Sequence, residues 1–189
     1  MKAIDEAKLE TDLEYRFQYL AEFIGFSAED QAAIQMSAMY LGPMIPELVD
    51  ATYARLLAYE STARHFLPRQ AGYEGPLPAN MIALSQSAQI QFRKEHLGRY
   101  FMQMLGRSFD SKMILYLDMV GKMHTPKAGN AEIDVPLVQM NALMGLLSDV
   151  LTDAISKFPM DHASMLATIR AFQKLLWIQN DFITRHYAQ

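Results

Sequence analysis

Val120-Gly121-Lys122-Met123-His124-Thr125-Pro126 is the stretch on which the reading of this chain turns. Counting back from His124 at helical spacing meets Val120, Leu117 and Met113, so the imidazole closes the apolar stripe of a helix and lies on its inward side. Pro126 breaks that helix. An inward imidazole is either a core residue satisfied by a backbone partner or a metal ligand, and both readings stand at this level.

Outward from this helix, apolar residues recur with a period of 3.6 and no segment alternates strictly at period 2. Leu9, Leu13, Phe17, Leu20 and Ile24 line one amino-terminal helix that stops at Gly25. Ser27, with Asp30 three residues on, caps a second helix, which Gly42-Pro43 is expected to end. Pro46 opens a third, carrying Val49, Tyr53 and Leu56 on one stripe. A turn with His65 and Phe66 leads into a loop from Pro68 to Pro78 that holds Gly72 and Gly75. From Ala79 to Leu105 the spacing predicts one helix of about 40 Å, at 1.5 Å per residue. Ser108 or Asp110 caps the helix that ends near His124, Pro136 opens the next, and Asp161 caps the last. Residues 1–189 thus read as one all-α domain of about eight helices, bundle-like or globin-like, with 1–25 as an amino-terminal helical extension.

Composition removes several function classes. The chain has no Cys, which excludes disulfides, thiolate metal sites and cysteine nucleophiles and fits a reducing compartment. A net charge of −4 lacks the basic excess that nucleic acid demands. The amino terminus has no apolar signal core, and Gln139, Asn141 and Asp149 interrupt the greasiest segment, Leu137 to Leu151. A cytoplasmic protein without membrane contact is the expectation. Fourteen methionines suit a plastic helical core, or a cavity moulded around a flat ligand.

No His-Glu-x-x-His occurs, nor any pair of Glu-x-x-His helices, so zinc-protease and di-iron carboxylate centres lack their ligands. A single imidazole bound to a large prosthetic group is the metal chemistry that this chain best permits. Haem iron needs only one protein ligand, since the macrocycle supplies four nitrogens.

Tyr53, then Phe66, then Arg99-Tyr100-Phe101 through Ser108-Phe109-Asp110, then Val120-Gly121-x-x-His124 and Val135-Pro136 resemble the globin domains of protoglobins and globin-coupled sensors, over roughly Phe26 to Tyr187. The resemblance implies a globin fold with an extra amino-terminal helix, haem b as cofactor, and His124 as the proximal iron ligand. It implies that Tyr53 is the distal hydrogen-bond donor to bound oxygen; the bland alternative is a core tyrosine bonded to a helix carbonyl. Phe66 would pack on the haem face, Leu97 and Phe101 would form the distal wall, Val120 would lie beneath the ring, and Leu146 and Val150 would line the pocket from the next helix. Each of these is also what an ordinary core position looks like. Arg93 is read as a propionate partner, His65 as a second one, and His96, beside Leu97, as a candidate sixth ligand; His162 and His186 read as caps or surface groups. The chain departs from the family by an insertion between Phe66 and the distal helix, and by Thr125-Pro126 after His124.

On that resemblance the leading expectation is reversible binding of oxygen, and of carbon monoxide or nitric oxide, at five-coordinate iron, as a gas sensor or store. The family's dimers pair their last two long helices, so a homodimer through the Leu147 and Phe172 regions is expected. Two other expectations remain: a nitric oxide dioxygenase or peroxidase-like enzyme at the same iron, and a haem-free globin-like signalling module.

Overall fold

The computed structural model describes residues 1–188, which contain nine α-helices, two short 3-10 turns and no strand. Every long helix except the one that follows Pro136 begins at a side chain that accepts one of the free N–H groups of the first turn. Ser27 and Asp30 form a reciprocal capping box, and the carboxylates of Asp110 and Asp161 accept from Met113 N and Ser164 N at 2.9 and 3.0 Å.

The amino-terminal helix is in fact two, α1 (Glu6–Thr11) and α2 (Leu13–Ile24). Asp12 is extended between them, and its carboxylate caps α2 by accepting from Glu14 N and Tyr15 N, so a local cap outcompetes helix continuation. Gly25 ends α2 in the left-handed conformation, φ 68°. Arg16 ties α2 to the end of the chain through a bidentate pair with Asp181, at 2.6 and 2.9 Å.

Helix α3 (Ala28–Leu57) corrects a second expectation, because it runs straight through Gly42-Pro43 and Pro46. An interior proline costs about 3 kcal/mol through its missing N–H and its clash with a carbonyl. Pro43 and Pro46 are both exposed, so water can reach the carbonyls they release, while Ile34, Leu41, Ile45, Leu48 and Thr52 stay buried on the opposite stripe. Core burial outweighs the local break.

Beyond α4 (Glu60–Ala63), the 3-10 turn Arg64–Phe66 and the loop, the long helix expected from Ala79 is divided too. Asn80 caps a single turn, α5 (Met81–Leu84), and Ser87 caps α6 (Ala88–Gly106), about 28 Å long at 1.5 Å per residue. Then come α7 (Ser111–Lys122), a 3-10 turn at Pro126–Ala128, α8 (Leu137–Ser156) and α9 (His162–Thr184).

The packing pairs α3 with α6 and α9, and α9 with α7 and α8, around one cluster of buried residues drawn from α2 to α9. At the α7–α9 crossing a Cβ on Gly121 would stand 2.4 Å from the Phe182 carbonyl oxygen, so only glycine allows this approach. No helix among the described residues is long and apolar enough to cross a membrane.

Candidate functional site

Gly121 lets α7 lie against α9, and the three residues after it bring His124 off the end of α7. The His124 backbone N–H donates to Gly121 O at 3.3 Å, and Val135 N donates back to His124 O at 3.0 Å. These bonds hold the residue at a chain crossing, where it opens on a cavity of about 420 Å³ enclosed by α3, α6, α7, α8 and α9. That volume lies in the range of sites for organic ligands.

The imidazole is committed to one tautomer. Nδ1 stands 2.8 Å from the Val120 carbonyl, which can only accept, so Nδ1 carries the proton and Nε2 keeps a lone pair with no partner among the described residues. Burial lowers the His124 pKa, the Val120 bond pulls the other way, and the positive charge of Arg93 adds to the lowering. The ring is therefore neutral at pH 7. Neutral imidazole with a free Nε2 and Nδ1–H on a carbonyl is the form that binds a metal. No group of three or more metal-ligating side chains exists among the described residues, so an ion on His124 would have to bring most of its other ligands with it.

Across the cavity, α3 presents Tyr53, 6% exposed. Its hydroxyl makes no hydrogen bond among the described residues, and burial raises its pKa far enough to keep it a phenol at any physiological pH. The alternative of a core tyrosine bonded to a helix carbonyl is not what the structure holds. Its ring packs at 5.6 Å against Phe66, itself on the cavity wall.

Arg93 enters from α6. Its Nη2 donates to Pro68 O at 3.0 Å and its guanidinium lies 5.1 Å from the Phe66 ring centre, while Nε is buried without an acceptor. His65 also lines the cavity, with Nε2 buried and unpartnered and its pKa lowered by burial. His96 lines it as well, but its Nδ1 sits 2.8 Å from Phe92 O and Arg99 Nη2 is 3.2 Å from both ring nitrogens. Those contacts leave the His96 ring less free than that of His124. His186 is no surface group: its Nε2 contacts Asp118 at 2.9 Å, joining the end of α9 to α7.

Of the residues picked from sequence, the cavity gathers His124, Tyr53, Phe66, Arg93, Leu97, Val120, His65 and His96. Phe101, Leu146 and Val150 lie outside its lining. Phe101 is 2% exposed and spends its ring on the helix core, and Tyr100, one position earlier, takes the wall instead. On α8 the inward positions are Leu143, Met144 and Leu147, a helix rotation of about 100° from Leu146. Leu147 and Phe172 are both buried within the subunit, so neither can meet a second copy.

The sequence reading missed Gln89, which is fully buried one turn before Arg93. Its Nε2 donates to Phe66 O at 2.8 Å and Pro68 O at 3.1 Å, and its Oε1 accepts from Gln70 N at 3.1 Å. This amide clamps the turn that carries Phe66, making Gln89 a positioning residue. The signal was its place on the inward stripe of α6, four residues before Arg93.

Comparison with protein-family models matches the chain to the Protoglobin model over residues 13–189, which begins at α2 and takes in every residue of the cavity. No curated protein matches the chain.

Proposed function

The chain belongs to the protoglobin family, and from that premise we propose that it binds haem b in the cavity and takes a diatomic gas reversibly, as a sensor or store. The observation that carries this reading is the neutral His124 ring, with Nδ1–H on Val120 O and a free Nε2 beside an apolar cavity. When bound, the haem supplies an iron that needs one protein ligand and leaves a position for oxygen, carbon monoxide or nitric oxide.

The chain's residues do the rest. His124 Nε2 would be the ligand to the iron, and the Val120 carbonyl bonded to Nδ1 would keep it oriented and basic. Val120, Phe66 and Leu97 give the cavity apolar walls, which would exclude water from the bound cofactor. Tyr53 presents an unspent O–H to a polar ligand, an advantage for oxygen over carbon monoxide in so dry a site. Arg93 and His65 offer buried donors to the macrocycle's carboxylates.

Phe101, Leu146 and Val150 take no part in holding the cofactor in this reading. Two copies pair through α8 and α9, using Trp177 and Leu166, which are 67% and 46% exposed; sedimentation of Trp177→Glu as the same dimer as the parent would contradict that pairing. A cytoplasmic location is part of the same reading.

The test is the absorption spectrum of purified protein as isolated, reduced and with carbon monoxide. A Soret band that shifts with carbon monoxide and is lost in His124→Ala supports the reading. A colourless protein that takes up no added haemin, or an unchanged spectrum in His124→Ala, refutes it.

A further inference from the structure

The methionines of this chain divide by surroundings. Met104 and Met113 are buried in the helix core, away from any oxidant dissolved in water. Met36 and Met39 are exposed on α3 and take no part in the cavity wall. Met119 and Met123 combine the two situations: they are 55% and 36% exposed, and both line the cavity. Among the described residues no other exposed methionine does so.

Their place on α7 gives the pair its consequence. They stand one helical turn apart and bracket Val120 and Gly121, the two residues on which His124 hangs. Met123 N donates to Met119 O at 3.0 Å, His124 N donates to Gly121 O at 3.3 Å, and Val120 O lies 2.8 Å from His124 Nδ1. A change at either thioether is therefore made beside the bonds that hold the imidazole.

We propose that Met119 and Met123 are a modification site for hydrogen peroxide, at which oxidation of both thioethers to sulfoxides loosens the grip of the cavity on its cofactor. The proposal rests on the cavity being a haem site and adds a regulation to it. In each step the sulfur gives an electron pair to one peroxide oxygen. The S–O bond forms, the O–O bond breaks, and the second oxygen leaves as water with both protons, so sulfur is oxidised and peroxide reduced. A thioether is apolar and flexible, whereas a sulfoxide is polar and a good hydrogen-bond acceptor. The product is better solvated than packed against an apolar wall, so it draws the side chain outward and opens the cavity beside His124.

The test treats the purified protein with hydrogen peroxide, stops the reaction with catalase and maps sulfoxides by peptide mass spectrometry. It then measures the first-order rate of haem transfer to excess apomyoglobin, a rate constant independent of how much haem the peroxide bleaches. Met119 and Met123 each gain one oxygen while Met104 and Met113 stay reduced, and transfer becomes at least about fivefold faster, the weight of one polar group set against an apolar surface. In the double variant Met119→Leu with Met123→Leu, which keeps side-chain volume, peroxide still oxidises Met36 and Met39 but leaves the rate unchanged. The proposal is overturned if Met119 and Met123 stay reduced while Met36 and Met39 are oxidised. It is equally overturned if the parent's rate does not change, or if the double variant accelerates as the parent does. If the parent shows no Soret band, the haem reading itself has failed, and the modification site is decided on the cofactor-free chain. There peroxide must lower the melting temperature in the parent more than in the double variant; no such difference overturns it.

Discussion

Replacing Gly121 with alanine would set a methyl group 2.4 Å from Phe182 O, 2.8 Å from Ile183 Cα and 3.0 Å from Phe182 C. All three are backbone atoms of α9, so no side chain can rotate away and the two helices must separate by several tenths of an ångström. Overpacking of this kind costs about 1–3 kcal/mol, and a backbone obstacle belongs at the upper end. Against it stands the gain from removing glycine from a helix interior, about 1 kcal/mol. The balance is a loss of about 2 kcal/mol, or roughly 4–8 °C in melting temperature for a domain of this size. Gly145 in α8 is the control, because a Cβ there meets nothing within 4 Å. Gly145→Ala keeps only the helix gain and should melt about 2–4 °C higher. Thermal melts of the three cofactor-free proteins by circular dichroism make the comparison. Because His124 N bonds to Gly121 O, the displaced helix end should also weaken haem retention in Gly121→Ala. Equal melting of Gly121→Ala and Gly145→Ala would show that the α7–α9 approach is not what requires glycine.

Three further outcomes are expected. Tyr53→Phe removes one neutral donor, so oxygen should leave about three- to tenfold faster by flash photolysis or stopped flow, and an unchanged rate would end its assigned role. Gln89→Leu strands Phe66 O, Pro68 O and Gln70 N, and should lower the melting temperature by at least about 5 °C; a stable variant would mean that water replaces the clamp. Burial holds the pKa of His124 and, by the same cause, that of His65 below the ordinary 6.5, so the unfolded chain takes up protons first as pH falls. The cofactor-free protein should therefore keep full stability above that value and lose it progressively below. Replacing His124 with leucine should flatten that decline, and melts between pH 5 and 8 that keep the parent's slope would count against a buried neutral ring.

Much of this protein was legible one turn at a time. Ser27 with Asp30, Asp110 and Asp161 announce their helices because a cap needs only a side chain and an N–H within three residues, and the stripe Met113, Leu117, Val120, His124 identifies its inward face by spacing alone. Gly121 could be noticed but not explained, since its reason is the carbonyl of Phe182, sixty-one residues away. What only the tertiary structure decided shares that character. Pro43 and Pro46 read as breakers, yet sit within α3 because their far side is buried and their near side is wet. Helix α8 is apolar around most of its circumference, so its sequence leaves open whether Leu146 or Leu147 faces inward, and packing against α9 resolves it. Local hydrogen bonds and periodicity determine where helices exist; rotation and approach follow from which surfaces exclude water together, a property of pairs of elements far apart in the chain.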